Sequence, residues 1–202
     1  VRLGLLGPAD DVQTLGRSAE LLLRDQKVSR TVYLGDDDAL DRAVAAWARK
    51  LVGDDPNDDA IWARGALLAV NGSAQDLVRF VHAQRARLRL KQLEQLPAGG
   101  RTIEMFGDRV AVMIHDKAQL DEEDILAAGI LVYGKSALPV AKRVNSRWFV
   151  SPGHVGGNGG VAVIDDEGDE IVLTVFDTNG RQAMTEALTV QRATKVRVQG
   201  GE

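Results

Sequence analysis

Gly129-Ile130-Leu131-Val132-Tyr133-Gly134-Lys135-Ser136-Ala137-Leu138-Pro139 is the stretch on which the reading of the chain turns. Four consecutive apolar residues between two glycines read as a short strand buried on both faces, and Pro139 stops any helix from following Ser136. Gly129 to Ser136 also satisfy the phosphate-loop pattern G-x-x-x-x-G-K-[ST]. A working phosphate loop follows a strand and opens a helix, however, and here the four residues between the glycines are themselves the strand. The segment is one strand of a sheet, ending in a polar turn.

Working outward, the N-terminal half alternates strand and helix. A strand over 2–6 ends at Gly7-Pro8, and Val12, Leu15, Ala19, Leu22 and Leu23 then mark one face of a helix ending near Lys27. A strand over 31–34 stops at Gly35, and a helix over 39–52 carries Leu40, Val44, Trp47, Ala48 and Leu51 on its buried stripe. After the polar loop 53–59, the spacing predicts a strand over 66–70, a turn at Asn71-Gly72-Ser73 and a long helix over 74–96. Beyond Arg101 the chain turns strand-rich: 102–106, 110–114, 130–133, 140–144, 148–150, 161–164 and 171–176, with one helix over 121–128. Leu188, Val190, Val196 and Val198 share one parity, so 188–198 reads as an added strand, offered to a partner's sheet edge or covering the chain's own.

Composition narrows the function classes. The 202 residues, 45% hydrophobic and 27% charged, are enough to bury a core. A net charge of −4 gives no global basic field for nucleic acid or an anionic membrane. The absence of cysteine removes thiolate chemistry, disulfides and cysteine-ligated zinc. No apolar run approaches the roughly 20 residues of a bilayer crossing, and the expected location is the cytoplasm.

The polar loops that follow strands are Gly7-Pro8-Ala9-Asp10-Asp11, Gly35-Asp36, Gly72-Ser73, Ile114-His115-Asp116-Lys117, Gly134-Lys135-Ser136-Ala137 and Ser151-Pro152-Gly153-His154. In layered α/β sheets such loops gather a ligand beyond the strands' carboxyl ends. Their order and spacing resemble the small calcineurin-like metallophosphoesterases, in the branch that contains compact bacterial phosphodiesterases and the phosphoesterase-like subunit of retromer. The resemblance spans residues 2–179. It implies an α/β (mixed α+β) fold, a four-layer α-β-β-α sandwich, over residues 1–180, followed by a C-terminal extension over 181–202.

The resemblance also implies what is missing. Family enzymes hold two metal ions with aspartate, histidine and asparagine side chains from these loops, and the metals generate a hydroxide nucleophile. Here the first aspartate is replaced by Pro8, the asparagine by Ser73, and the two histidines of the Gly-His-Thr-His turn by Lys135 and Ala137. Asp36 and His115 remain, with Asp10 where histidine is expected. Such scattered ligands hold two hard cations poorly. The expectation is a non-catalytic domain with no cofactor, whose vacated site retains Asp10, Asp36, Ser73, His115, Lys117 and Lys135. The two lysines are expected either to offset the Asp10 and Asp36 carboxylates, with Lys135 set against Asp36, or simply to point to solvent.

Its partner is then a protein of unknown identity, with a homo-oligomer also open. The competing expectation is a residual hydrolase holding manganese or zinc weakly through Asp10, Asp36 and His115, or an anion-binding domain built on Asp36, His115, Lys117 and Lys135. Arg79, Arg85, Arg87, Arg89 and Lys91 form a basic helix face without interleaved aromatics, which reads as solvated rather than as a nucleic-acid surface. The 54–59 loop lacks the glycine and terminal glutamate of a calcium loop. His82 and His154 have no partner at useful spacing.

Overall fold

Residues 1–97, 99–166 and 170–188 are described by the structure, a computed structural model. The first strand, Arg2–Leu6 (β1), sends Leu3 and Leu5 into one apolar cluster and Leu6 into another, all three fully buried. A strand apolar on both faces needs cover on both, and that requirement sets the layering. Helix Val12–Arg24 (α1), strand Arg30–Tyr33 (β2) and helices Ala39–Val52 (α2), Asp58–Asn71 (α3) and Ala74–Arg89 (α4) follow. A 3₁₀ turn then leads into strand Leu93–Gln95 (β3). The second half contains strands Arg101–Phe106 (β4) and Arg109–Ile114 (β5), helix Glu122–Ala127 (α5), and strands Ile130–Tyr133 (β6), Val140–Val144 (β7) and Arg147–Ser151 (β8). Strands Val161–Asp165 (β9), Val172–Phe176 (β10) and Gln182–Ala187 (β11) come last.

Six strands form one sheet in the order β11-β10-β9-β1-β2-β3, and five form the other in the order β4-β5-β6-β8-β7. Both are mixed, with β1, β2 and β3 parallel in the first and β5, β6 and β8 parallel in the second. Between the sheets, Leu3, Leu5, Val32 and Leu34 share a core with Met113, Ile130, Val132 and Val150. On the far side of the first sheet, Leu6, Tyr33 and Val163 pack with Leu15, Ala19 and Leu22 of α1 and Leu40 of α2. Ala128, at the end of α5, covers Val112 and Leu131 on the outer face of the second. This is the four-layer α-β-β-α sandwich expected from the sequence.

Two expectations for the middle of the chain fail. Residues 66–70, expected as a strand, belong to α3. The Asn57 side chain caps that helix by accepting the Ala60 N–H at 2.7 Å, Asp58 and Asp59 occupy its positive end, and its alanines favour helix over strand. The helix expected over 74–96 stops at Arg89, because Leu90 and Leu93 are drawn into the core and Leu93–Gln95 hydrogen-bond alongside β2. The strand parallel to β2 is therefore β3, and the loop at its carboxyl end begins at Leu96 rather than at Asn71. After Gly180 a strand forms at Gln182–Ala187 and joins the first sheet beside β10, and Leu188 enters the inter-sheet core. The strand expected over 188–198 lies, beyond Leu188, outside the described residues.

Where β2 and β6 end, the sheets come into backbone contact. A Cβ on Gly134 would sit 2.1 Å from the Leu34 carbonyl oxygen, and one on Gly7 1.8 Å from that of Gly153. Gly134→Ala is therefore expected to cost about 3 kcal/mol in urea unfolding, the range of overpacked cores. Gly16→Ala, on the open face of α1 with nothing within 4 Å, should instead stabilise by ~0.5–1 kcal/mol. Equal effects of the two substitutions would show that the sheet spacing is not set at Gly134.

Candidate functional site

The loops leaving β1, β2, β5 and β6 and the β8–β9 connection meet at one edge of the sandwich. The Gly7 N–H donates to the Gly160 carbonyl at 2.8 Å and the Val155 N–H to the Pro8 carbonyl at 2.8 Å, which lays the β8–β9 connection over the end of β1. The Gly134 N–H donates to the Ile114 and His115 carbonyls and the Lys135 N–H to the His115 carbonyl, at 3.1, 3.0 and 2.8 Å. The Ser136 N–H donates to Gly134. These amides, which a phosphate loop would turn toward its ligand, are spent on the protein's own backbone, and β6 is not followed by a helix.

Polar side chains at this edge fall into separate couples. His115 Nδ1 lies 2.8 Å from the Leu34 carbonyl, so that nitrogen carries hydrogen, and Nε2 is aimed at Asp36 Oδ2, 3.4 Å away. A carbonyl behind the ring is also how metal-ligating histidines are oriented. Lys135 does not take Asp36 as its partner, contrary to expectation: its Nζ donates to Asp116 Oδ2 at 2.6 Å. The reason is reach, since the Lys135 backbone is tied to the His115 carbonyl and Asp116 is the next residue. Lys117 lies over the Tyr133 ring, 5.1 Å from its centre, and its ammonium pairs with no carboxylate among the described residues. Asp10 is almost wholly exposed, and His154 Nε2 stands 3.4 Å from its Oδ1.

His154 is the residue that sequence reasoning set aside. Its partner is separated from it by most of the chain, and the pairing of Ala9 with Val155, with the Val155 N–H bonded to Pro8, brings the two together. Ser73 behaves in the opposite way. It caps α4 in a reciprocal box, accepting the Asp76 N–H while the Asp76 carboxylate accepts the Ser73 N–H and hydroxyl. Its described partners are in its own helix, and it does not follow a strand of the sheet.

Electrostatics follows these couples. The Lys135 ammonium, then the Ala118 N–H, hold the Asp116 carboxyl below its ordinary value, and Asp116 in turn raises Lys135. Burial, then the Asp37 carboxylate that it donates to at 2.9 Å, push the Tyr33 phenol up. Asp37 also accepts the Ala39 N–H at 3.0 Å, so this bond fixes the loop carrying Asp36 to the start of α2.

The donor set does not fit a pair of metal ions. Among the described residues no three His, Cys, Asp or Glu side chains are grouped to hold even one. Pro8 offers only a carbonyl, already used by Val155, and Ala137 offers no side-chain donor. The loop after β3 begins Leu96-Pro97 and resumes at Gly99-Gly100, again without a ligating side chain among the described residues.

Known structures align with the chain over nearly its whole length. YfcE, a phosphoesterase from E. coli, matches with a TM-score of 0.51 at 16% identity, over 94% of this chain and 100% of that one. The fold is that of the small phosphoesterases. At such identity the fold is what is shared. A predicted phosphoesterase from Streptococcus pneumoniae matches with a TM-score of 0.49 at 12% identity over 93% of this chain and 97% of the other. Vps29 from Entamoeba histolytica, complexed with zinc, gives 0.49 at 9% identity over 94% and 100%. No protein-family profile and no curated protein sequence matches the chain.

Lys135→Ala should raise the Asp116 carboxyl toward its ordinary value, in part only because the Ala118 amide still donates to it. Side-chain carboxyl NMR across acid pH reads this directly. With its depressed value, Asp116 stabilises the folded state above the ordinary carboxylate range, and that contribution fades as pH falls through the depressed value. The thermal midpoint at neutral pH should fall only slightly, since the Lys135 end of the pair is exposed. An unmoved Asp116 with a markedly lowered midpoint would show that Lys135 acts elsewhere.

Proposed function

We propose that this chain is a non-catalytic protein of the phosphoesterase fold that works through protein contacts. The observation that supports this reading is the ion pair of Lys135 with Asp116, beside Asp36 and His115 and Asp10 and His154, which face each other at 3.4 Å and pair only when the imidazole is protonated. An ammonium bonded to the nearest carboxylate supplies the charge that a cation would otherwise bring. The second reading, an anion site on Asp36, His115, Lys117 and Lys135, is less well supported, because Lys135 is neutralised by Asp116 and Lys117 is held over Tyr133. No described helix is long and apolar enough to cross a membrane.

Bis-p-nitrophenyl phosphate with manganese or zinc is the direct assay. The parent and Asp36→Ala should release nitrophenol at the same background rate, and calorimetry should show no tight uptake of either metal. Metal-dependent turnover abolished by Asp36→Ala would overturn the reading. The single change Lys135→His should not create activity, since Pro8 and Ala137 are untouched.

A further inference from the structure

Helices α3 and α4 bury almost nothing. Ile61 is the one buried residue of α3, and α4 has none, although both carry large apolar side chains. Trp62 is 77% exposed, and Leu67, Val70, Val78, Val81 and Leu88 are exposed with it. A helix pair stable in water shows its polar face, and large apolar groups facing solvent mark a surface that another molecule covers. Of these, Trp62, Val81 and Leu88 border a groove of about 370 Å³ between the two helices, walled also by Ile61 and Phe80.

The net charge at the groove is positive. Asp58 is its only carboxylate and is bonded by Arg87 at 2.5 Å, which leaves Arg85 and Lys91 in excess. Arg85 has no ion-pair partner among the described residues. On a chain whose net charge is −4, this patch is locally positive. Val81, Arg85 and Leu88 are spaced i, i+4, i+7, so the Arg85 cation stands between apolar contacts on one face of α4.

We propose that the α3–α4 groove docks an amphipathic helix of a partner protein whose apolar stripe is flanked by acidic residues, a deepening that rests on the protein-contact reading above. The apolar walls take the stripe, and Arg85 and Lys91 meet the flanking carboxylates. A second copy fits poorly, because a two-fold contact places each patch on itself and brings Arg85 and Lys91 against their own kind. Nucleic acid would satisfy the cations but leave the aliphatic walls without cover.

The test uses two pools of labelled peptides of about 14 residues, four helical turns, with Leu, Ile, Phe or Met at i, i+3, i+4 and i+7. The other positions are Glu-rich in one pool and Lys-rich in the other. Fluorescence anisotropy with the full chain should show the acidic pool binding about tenfold tighter or more, a difference of ~1.4 kcal/mol at least. Trp62→Ala should weaken it about tenfold, and Arg85→Glu with Lys91→Glu should reverse the preference between pools. All three residues are exposed or on the rim, so an unchanged melting curve separates lost docking from lost folding. Failure of the acidic pool to bind, or binding of both pools alike, overturns the proposal. So does tight binding of a single-stranded oligonucleotide lost in the charge-reversed variant, or a dimer in sedimentation that Trp62→Ala dissociates. The phosphodiester assay on the same sample reads the other proposal separately: turnover with docking intact defeats only the non-catalytic reading, and no turnover with no docking defeats only the groove.

Discussion

Leu34 is tied to both sheets through its backbone and its side chain. Its N–H donates to the Leu6 carbonyl, extending β2 alongside β1, and its side chain lies in the inter-sheet core. Its carbonyl accepts from His115 and lies against the bare α-carbon of Gly134. One residue thus sets how far apart the sheets stand where their strands end, and which way the His115 ring faces. The Asp36–His115 couple is a consequence of that spacing.

The fold and the chemistry draw on different residues. Cohesion comes from leucine, valine and isoleucine packed between and behind the sheets, each worth about 1.5–3 kcal/mol when fully buried. The polar groups at the loop edge are mostly exposed, where ion pairs contribute little. Replacing ligand-type side chains there leaves the core untouched, so a phosphoesterase sandwich can persist after its metal-holding residues have changed. Fold similarity to YfcE therefore carries no activity with it.

The strands flanking the core were legible because each is a short apolar run closed by glycine, proline or a polar turn, as at Gly7-Pro8, Gly35 and Gly134. The 58–96 region was not. Leu67, Leu68 and Val70 imitate a strand in isolation, and the decisive information lies upstream in the Asn57 cap and downstream in the pairing of Leu93–Gln95 with β2. The loop edge was legible as a run with few ligating side chains, at Pro8, Lys135 and Ala137. Its actual couples were not, because they depend on which carboxylate a tethered lysine reaches and on the crossing that carries His154 to Asp10. Spacing along the chain encodes neither.

β1 lies between β2, only a short way along the chain, and β9, with Arg2 paired to Asp165. During synthesis the first contact can form early, whereas the second must wait until most of the chain has left the ribosome. Until then one side of β1 presents unpaired amides and carbonyls beside fully apolar side chains, the combination that invites misassociation. Loop closure over so long a span also slows folding, because its entropic cost comes before the contacts that reward it. The order of strands in the sheet thus makes β1 a segment synthesised long before β9 and sealed only once β9 arrives.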